Sequence, residues 1–291
     1  MKFNDIKNEL ENNVYILIKG GIGKQIALSG VINKFFEQYN YNNNLFLIYD
    51  HIEIFSNLSI KGYDYFEYNI IRNNNNQSII FEPYNEIELL KEKHYLSSIG
   101  NYIFNSSLDY NKPNIILSNE ELEFLEKFKK QFNKPLLMIQ PFGSTCTKYN
   151  YDPMKKSLRD YFVKEIIEKY QNDYIILQLH DSTQYHFDNT ISLSNYSLRE
   201  LFSIVSICDK FISCDSMLPH ISAAFDKKTF VLWSITDEKI FGHPIHINYR
   251  ENTLQDYFIP NIKNINKKIP PIINMYSEKV FDHIEEYINN E

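Results

Sequence analysis

The first half of the chain alternates short apolar runs with a helical pattern. Mostly apolar, β-rich runs at Val14–Ile18, Leu45–Tyr49 and Ser78–Phe81 predict buried strands. Between the first two runs, apolar residues recur at helical spacing from Gln25 to Tyr39 and predict a helix. Tyr63–Ile71 is interpreted as an irregular or stranded segment. Alternation of strand and helix is typical of a parallel α/β sheet.

The second half repeats this alternation after a polar interval. Mostly apolar runs predict strands at Leu136–Gln140, Phe211–Cys214 and Thr229–Trp233. Helical periodicity covers Leu158–Tyr170 and Ser197–Ile207, and the second of these begins with a capping-box pattern. Two similar α/β halves predict two Rossmann-like domains.

A predicted helix separates the two halves. It begins at Ser118, which can cap it, and ends before Asn133. We therefore expect an N-terminal Rossmann-like domain at residues 1–132 and a C-terminal one at residues 133–291. The C-terminal domain is expected to end in a helix at about residues 276–290.

The stretch from Phe211 to Ala224 carries the most functional information. Its strand ends at Asp215, Ser216 is expected to cap the following helix, and Pro219 fits the first helical turn, which also contains His220. Ligands of open α/β sheets bind at the carboxyl ends of the strands, and helix N-termini attract phosphate. The stretch therefore predicts a phosphate-binding site. The alternative is an ordinary strand–helix unit with a capping serine.

A glycine-rich loop follows the first predicted strand. It contains, in order, Gly20, Gly21, Gly23 and then Lys24. Glycines permit a tight turn and a close approach of the backbone to a ligand. A P-loop is excluded, because Ile18 stands where it needs glycine and Gln25 stands where it needs serine or threonine. A dinucleotide-binding fingerprint needs a small third residue at the position of Ile26, so the match to it is weak. This argues against hydride transfer.

Composition narrows the classes of function. The chain has 291 residues, 43% of them hydrophobic, and a net charge of −7, so it can bury large cores but has no overall basic character for nucleic acid. Three cysteines without a Cys-x-x-Cys spacing suggest neither a disulfide framework nor a cysteine zinc site. No signal peptide and no apolar run of membrane-spanning length occur. We therefore expect a soluble, cytoplasmic protein.

Several of these motifs occur together in one enzyme family. The chain combines the glycine loop with Gly143-Ser144-Thr145 at the start of the second half, Ser197–Leu201, Asp215-Ser216 with His220, and Val231–Ser234. In this combination it resembles the ADP-heptose:lipopolysaccharide heptosyltransferase family of glycosyltransferases. The second-domain signature of that family is Asp-Ser/Thr-Gly-x-x-His, and here Met217 replaces the glycine. The chain looks shorter than typical members.

The resemblance implies the GT-B fold, in which two Rossmann-like domains face a central cleft. It implies metal-independent, inverting transfer from a nucleotide-diphosphate sugar to a glycan or other hydroxyl acceptor, with the nucleotide sugar as a co-substrate and no cofactor. The donor is expected mainly on the C-terminal domain and the acceptor on the N-terminal one. The donor-binding residues implied by position are Ser144, Thr145, Lys148, Asp215, Ser216 and His220. Asp181 follows a predicted strand whose loop would meet the nucleotide ribose.

One position departs from the family. Members have an aspartate directly after the glycine loop, where it is thought to act as base on the acceptor hydroxyl, and this chain has Lys24. A lysine is normally protonated and cannot accept that proton. Three interpretations stay open: Lys24 binds a phosphate, a carboxylate at a strand end (Asp50 or Glu82) is the base, or transfer activity is lost.

The Gly-Gly-x-Gly-Lys variant also resembles heptosyltransferase-like proteins of some tailed phages. A phage protein would act in the host cytoplasm, and its acceptor could be a surface glycan or a hydroxylated DNA base, although the net charge does not favour DNA. A catalytically silent sugar-nucleotide-binding or structural relative is the hypothesis from another class.

The other polar residues that could belong to a site are expected to have mainly structural or surface roles. Three histidines near predicted strand ends or loops are interpreted as polar surface residues: His51, His180 and His186, with a catalytic role as an equal alternative for His180. His243 and His246 could form a loop over the donor, but no third ligand is evident nearby, so no metal site is predicted. Lys155 and Lys156 are interpreted as a solvated helix start.

Overall fold

The computed structural model describes the chain in separate ranges. These are residues 14–18, 21–39, 45–74, 79–81, 94–97, 99, 111–143, 146, 156–234, 236–251 and 278–290. The chain divides into two compact units, Met1–Ile116 and Leu117–Glu291. Each unit contains its own parallel β-sheet, as the two rounds of strand–helix alternation predict.

The first unit is built on a four-stranded sheet. Its strands are β1 (Val14–Leu17), β2 (Leu45–Tyr49), β3 (Gly62–Asp64) and β4 (Ile79–Phe81), and its helices are α1 (Ile22–Tyr39) and α2 (Tyr65–Asn74). The spatial order is β3-β2-β1-β4, with every neighbouring pair parallel. The three strands predicted in this half are therefore confirmed.

Two predictions in the first unit are wrong in detail. Helix α1 begins at Ile22, so Gly23 and Lys24 lie in its first turn and not in the preceding loop. The segment Tyr63–Ile71 contains the end of β3 and most of α2. Packing explains the second result, because the buried ring of Tyr68 lies 5.4 Å from that of Tyr15. A helix brings this ring onto the sheet, and the periodicity of so short a segment did not indicate it.

The second unit is built on a six-stranded sheet. Its strands are β5 (Leu136–Gln140), β6 (Ile175–Gln178), β7 (Ile191–Ser192), β8 (Lys210–Cys214), β9 (Phe230–Trp233) and β10 (Ile247–Arg250). Its helices are α3 (Asn119–Lys129), α4 (Asp160–Tyr170), α5 (Leu198–Ile207), α6 (Leu218–Ala224), α7 (Glu238–Phe241) and α8 (Lys279–Asn289). The order is β10-β9-β8-β5-β6-β7, all parallel. Every residue of β5 and β9 is buried, as expected for central strands of a parallel sheet.

The C-terminal helix α8 is an integral part of the second unit. Val280 and Ile284 are fully buried in the same core as the sheet residues. The hydroxyl of Tyr287 accepts a hydrogen bond from the backbone N–H of Phe211 (3.0 Å) and donates one to the carbonyl of Lys228 (2.8 Å). The helix predicted at about 276–290 is therefore present as α8, and residues 276–277 lie outside the described part.

The boundary between the units lies earlier than residues 132 and 133. Residues before it pack on the first unit: the hydroxyl of Ser29 accepts a hydrogen bond from the backbone N–H of Asn114 at 2.8 Å. Helix α3 packs on the second unit, where Glu121 accepts two hydrogen bonds of 2.6 Å from Arg199 on α5. The predicted boundary lies at the end of this helix, but the long-range ion pair assigns α3 to the second unit.

Candidate functional site

The strand order of the second sheet reverses between β5 and β8. Strands β6 and β7 continue from β5 on one side, and β9 and β10 continue from β8 on the other. In open α/β sheets, ligands bind outside the carboxyl ends of the strands at such a switch point. The segments that begin with Pro141 and Asp215 leave the two strands there. The second segment is bonded to the end of β5: the backbone N–H of Leu218 donates to Oε1 of Gln140, the last residue of that strand (2.8 Å).

An ion pair lies at this switch point. Nζ of Lys156 is 2.6 Å from Oδ2 of Asp215, and the two side chains are 22% and 11% exposed. The hydroxyl of Thr236 donates a short hydrogen bond to the same carboxylate. Lys156, Asp215 and Thr236 are called the Asp215 cluster below. It joins three segments that are far apart in the sequence.

The charges of the Asp215 cluster are mutually stabilised. Burial would raise the pKa of the Asp215 carboxyl, but Lys156, the Thr236 hydroxyl and the charge of His220 together hold this pKa below its ordinary value. Asp215 is therefore a carboxylate at neutral pH, and it orients the ammonium group of Lys156.

The backbone around Lys156 is clamped to the end of β5. The hydroxyl of Ser157, which is 1% exposed, accepts a hydrogen bond from the N–H of Gly143 at 3.0 Å. The N–H of Leu158 donates to the carbonyl of Pro141 at 2.8 Å. The interpretation of Lys156 as part of a solvated helix start is therefore wrong, since helix α4 begins only at Asp160. Lys155 lies outside the described residues.

Helix α6 carries His220 beside the cluster, but its cap differs from the prediction. The residue preceding α6 is Met217, and no side chain caps the helix. Ser216 therefore is not the cap, because the chain makes one more residue of turn before the helix starts. Pro219 lies in the first turn as predicted.

A chain of histidines supports helix α6. Nδ1 of His220 is 2.7 Å from Nε2 of His243, so one imidazole donates a hydrogen bond to the other. His246 accepts a hydrogen bond at Nδ1 from the N–H of Thr229 (3.3 Å), which leaves Nε2 to donate to the carbonyl of Pro219 (2.7 Å). Burial lowers the pKa of His246 to about 4, so this side chain is neutral.

The burial and hydrogen bonds of His243 and His246 can be compared with the expected loop over the donor and with a metal-binding role. His243 and His246 are only 1% and 8% exposed, so they lie beneath α6 instead of forming an exposed loop. Both nitrogens of His246 already take part in protein hydrogen bonds. Among the described residues, no group of three or more His, Cys, Asp or Glu side chains could hold a metal ion.

A second polar group lies at the carboxyl ends of β6 and β7. His180 is 9% exposed, and its ring stacks on that of His186 with 5.3 Å between centroids. Nε2 of His180 lies 2.8 Å from the hydroxyl of Ser192, and burial lowers the pKa of His180. The surface interpretation is therefore wrong for His180 and right for His186, which is exposed.

Asp181 is exposed beside this group. Its carboxylate accepts a hydrogen bond from the N–H of Thr183 at 2.8 Å, and this bond lowers the pKa of Asp181. The position at a strand end, open to solvent, is compatible with a ligand contact.

The first sheet also has a switch point, between β1 and β4. Helix α1 begins there with Gly21 directly before it, and the backbone N–H of Lys24 donates to the carbonyl of Gly21 at 3.0 Å. Lys24 is partly exposed in the first turn.

Asp50 directly follows β2, the neighbour of β1, and is exposed. The next backbone N–H, that of His51, donates to Oε1 of Gln25 at 3.3 Å. Gln25 is completely buried, so this amide holds the end of β2 against the first turn of α1. Asp50 and Lys24 are thus carried by two segments that one side chain connects.

Several predicted site residues lie outside the described part of the chain. They are Gly20, Glu82, Ser144, Thr145 and Lys148. Sequence reasoning also missed two residues at the carboxyl edge of the second sheet, Lys156 and Thr236. Neither had a local signal, because what distinguishes them is their contact with Asp215.

Within the described residues, no helix is long and apolar enough to cross a membrane. The sequence model of glycosyltransferase family 9 (heptosyltransferase) matches residues 89–269, more than half of the chain. No curated protein sequence matches the chain.

Solved structures share the fold at low identity. A glycosyl transferase family 9 protein from Veillonella parvula DSM 2008 is 12% identical, with 94% of this chain and 96% of that chain covered and a TM-score of 0.64. The iron-containing dodecameric glycosyltransferase TibC from enterotoxigenic E. coli H10407 is 12% identical (96% and 77% covered, TM-score 0.61). E. coli heptosyltransferase WaaC with ADP is 12% identical (95% and 98% covered, TM-score 0.58).

These similarities agree with the two Rossmann-like units described above. The fold is GT-B, as the family resemblance implied. The family match covers the end of the first unit and most of the second, including the Asp215 cluster. The chain therefore belongs to glycosyltransferase family 9, the heptosyltransferase family, and is a glycosyltransferase.

Proposed function

We propose that this protein transfers a sugar from a nucleotide-diphosphate sugar to a hydroxyl group of a glycan or similar acceptor, with inversion and without a metal ion. Membership of the family supports sugar transfer. The solved WaaC structure contains ADP, which supports a nucleotide diphosphate as the leaving group.

The observation that carries the proposal is the Lys156–Asp215 ion pair at the switch point of the second sheet. A nucleotide diphosphate gains negative charge as the sugar leaves it. A partly buried ammonium stabilises that charge more strongly than the same group in water, because the surrounding dielectric constant is lower. Asp215 holds the ammonium in place and acts on the ligand through Lys156.

The other donor contacts are part of the same proposal. Ser216 and His220 follow Asp215 at this edge and would contact the diphosphate or the sugar. Asp181, after β6, would accept hydrogen bonds from the ribose hydroxyls. Ser144, Thr145 and Lys148 are proposed as further phosphate contacts on sequence grounds alone. Lys156 joins them, because a cation already oriented by Asp215 can neutralise the diphosphate without Mg²⁺.

In the proposed reaction, an acceptor oxygen attacks the anomeric carbon from the side opposite the diphosphate. The bond from that carbon to the diphosphate oxygen breaks, its electron pair leaves with the diphosphate, and a general base takes the hydroxyl proton. Asp50 is the proposed base, because it is an exposed carboxylate at a strand end of the first sheet. Glu82 is the alternative, and Lys24 is proposed to bind a phosphate of the donor or acceptor.

A cytoplasmic location belongs to this proposal as well. Cys146, Cys208 and Cys214 are buried free thiols, which suits a reducing compartment.

The test is thermal stabilisation of the purified chain by nucleoside diphosphates and their sugars. A ligand at about 100 times its dissociation constant adds about 2.7 kcal/mol of stability. We expect one nucleotide to stabilise the wild type. The variants Asp215→Asn and Lys156→Met should each abolish that shift. Absence of stabilisation by any nucleotide would contradict the proposed donor site.

Lys24 supports one second candidate, a relative that binds nucleotide sugars but does not transfer them. The position after the glycine loop has no carboxylate, so the acceptor proton has no acceptor there. A chain that binds a nucleotide sugar but forms no glycoside with any hydroxyl acceptor, even over days, would favour this candidate.

A further inference from the structure

Arg250, the last residue of β10, has a buried guanidinium with an unusual set of partners. Its side chain is only 6% exposed. Nη1 donates to Oε2 of Glu238 at 2.9 Å and to the carbonyl of Thr236 at 3.0 Å. Nε and Nη2 are also buried, yet neither has a hydrogen-bond partner in the described part of the chain.

These two nitrogens form one edge of the guanidinium. Their N–H groups are parallel, and the edge matches the two oxygens of a carboxylate or phosphate. Buried donors without an acceptor are rare in native proteins and unfavourable, more so when they are charged. Within the described residues, this cationic edge therefore lacks the acceptor that its burial calls for.

Arg199 shows the same edge with its acceptor in place. Its Nε and Nη2 each donate at 2.6 Å to one carboxylate oxygen of Glu121. Arg199 is more exposed than Arg250, at 14% against 6%. The chain thus supplies a carboxylate to the more exposed edge, while no described residue supplies one to the more buried edge.

Arg250 also lies close in the fold to the Asp215 cluster. Thr236 connects the two. Its carbonyl accepts a hydrogen bond from Nη1 of Arg250, and its hydroxyl donates one to the carboxylate of Asp215. Arg250 pairs in register with Trp233, so it lies at the carboxyl edge of the sheet. Ser234 follows at the same edge, and its buried hydroxyl likewise has no partner among the described residues.

We propose that the Nε/Nη2 edge of Arg250 is an anion-binding subsite that takes a carboxylate or phosphate group of a substrate in two parallel hydrogen bonds. Glu238 and Thr236 hold the guanidinium in position from its other side. The assignment of the anion to a substrate rests on the proposed function. The existence of the anion site does not depend on it.

The experiment titrates inorganic phosphate into the full chain by calorimetry, at constant ionic strength set with sodium chloride. Arg250→Lys keeps the positive charge but lacks the edge, so we expect phosphate affinity to fall at least tenfold. Glu238→Gln is the matched control, because it weakens the support of Nη1 and leaves the edge intact. It should change affinity less than threefold, and circular dichroism checks that both variants are folded.

A competition arm identifies the source of the anion. If the subsite holds a phosphate of the nucleotide, saturating ADP displaces inorganic phosphate and Arg250→Lys weakens ADP binding. If it holds a group of the transferred sugar or the acceptor, phosphate and ADP bind together and Arg250→Lys leaves ADP affinity unchanged. Malonate then replaces phosphate as the carboxylate probe.

Equal phosphate affinity in wild type and Arg250→Lys would overturn the subsite, and so would an equal loss in Glu238→Gln. Lys156→Met separates this proposal from the proposed function. An Arg250-dependent phosphate site that persists in Lys156→Met, in a chain that binds no nucleotide, would retain the subsite and reject the donor site. Nucleotide binding that is lost in Lys156→Met, in a chain whose phosphate affinity does not depend on Arg250, would retain the donor site and reject the subsite.

Discussion

Each of the two sheets reverses its strand order beside its first strand. The carboxyl edges of the first and second sheets at these points, called the first edge and the second edge, are stabilised differently. At the second edge, the ion pair of Lys156 and Asp215 is largely withdrawn from water and is tied to Thr236. At the first edge, a buried neutral amide, Gln25, connects the segments, and the carboxylate of Asp50 is exposed. A buried charge needs a charged partner, whereas an exposed one does not.

This difference suggests a division of work between the edges. The second edge has a cation with a fixed orientation, which suits the binding of a diphosphate whose charge grows during transfer. The first edge has solvated ionisable groups, which suits exchange of a proton with an acceptor. Substitutions at each edge test whether the two edges differ in this way.

The largest effect is expected on turnover, from the first edge. Asp50→Asn should lower kcat by about 100- to 10,000-fold, because it removes the proton acceptor with almost no change of volume. Nucleotide affinity should stay the same. Steady-state kinetics with Glu82→Gln and Lys24→Ala as parallel variants checks this assignment. A loss confined to Glu82→Gln would move the base to Glu82.

The next effect is expected at the second edge. Lys156→Met should weaken nucleotide diphosphate binding about 100-fold, since a charge-paired contact is lost. It should also lower the free energy of unfolding by about 3–5 kcal/mol, because Asp215 keeps a buried charge without its partner. Calorimetry and urea unfolding measure the two effects.

The double variant Lys156→Met/Asp215→Asn is the control for that experiment. It removes the buried charge, so stability should recover, but it has no cation, so binding should not. Recovery of binding would show that Lys156 acts only on folding.

A smaller, pH-dependent effect is expected from His246. Burial lowers its pKa from 6.5 to about 4, so the unfolded chain takes up this proton first as the pH falls. His246 therefore contributes stability above pH 6.5 that is lost as the pH falls towards 4, about 3 kcal/mol in total. His246→Gln retains a donor for the Pro219 carbonyl and does not titrate. The stability difference between wild type and variant should shrink between about pH 7.5 and about pH 4.5 in urea unfolding, and a constant difference would contradict the assignment.

The smallest effect is expected from Gln25. Gln25→Leu keeps the volume but removes the acceptor of the His51 N–H, which should cost about 1 kcal/mol. Gln38, exposed on the same helix, provides the control variant Gln38→Leu, for which a change near zero is expected. Equal unfolding free energies for the two variants would mean that the amide does not connect the segments.

Features that depend on neighbours in the sequence were predictable. The helix start at Ser118 and the capping box of Ser197 with Glu200 are present as expected, and Ser118 also forms a capping box with Glu121. Each box joins residues three positions apart. The strands were predictable because each is a run of mostly apolar residues that are neighbours in the sequence. The edge that contains Asp215 also followed, since parallel strands share one carboxyl edge.

The two α/β units, most of their strands and the family resemblance could therefore be predicted from the sequence. The boundary after Ile116, the start of α1 at Ile22 and the partners of Asp215 became known from the folded structure. Lys156 and Thr236 are distant from Asp215 along the chain, and no local pattern distinguishes a lysine in water from one beside a buried carboxylate. Such contacts form only when the sheet brings the three segments together, and the withdrawal of their charges from water then makes the pairing specific.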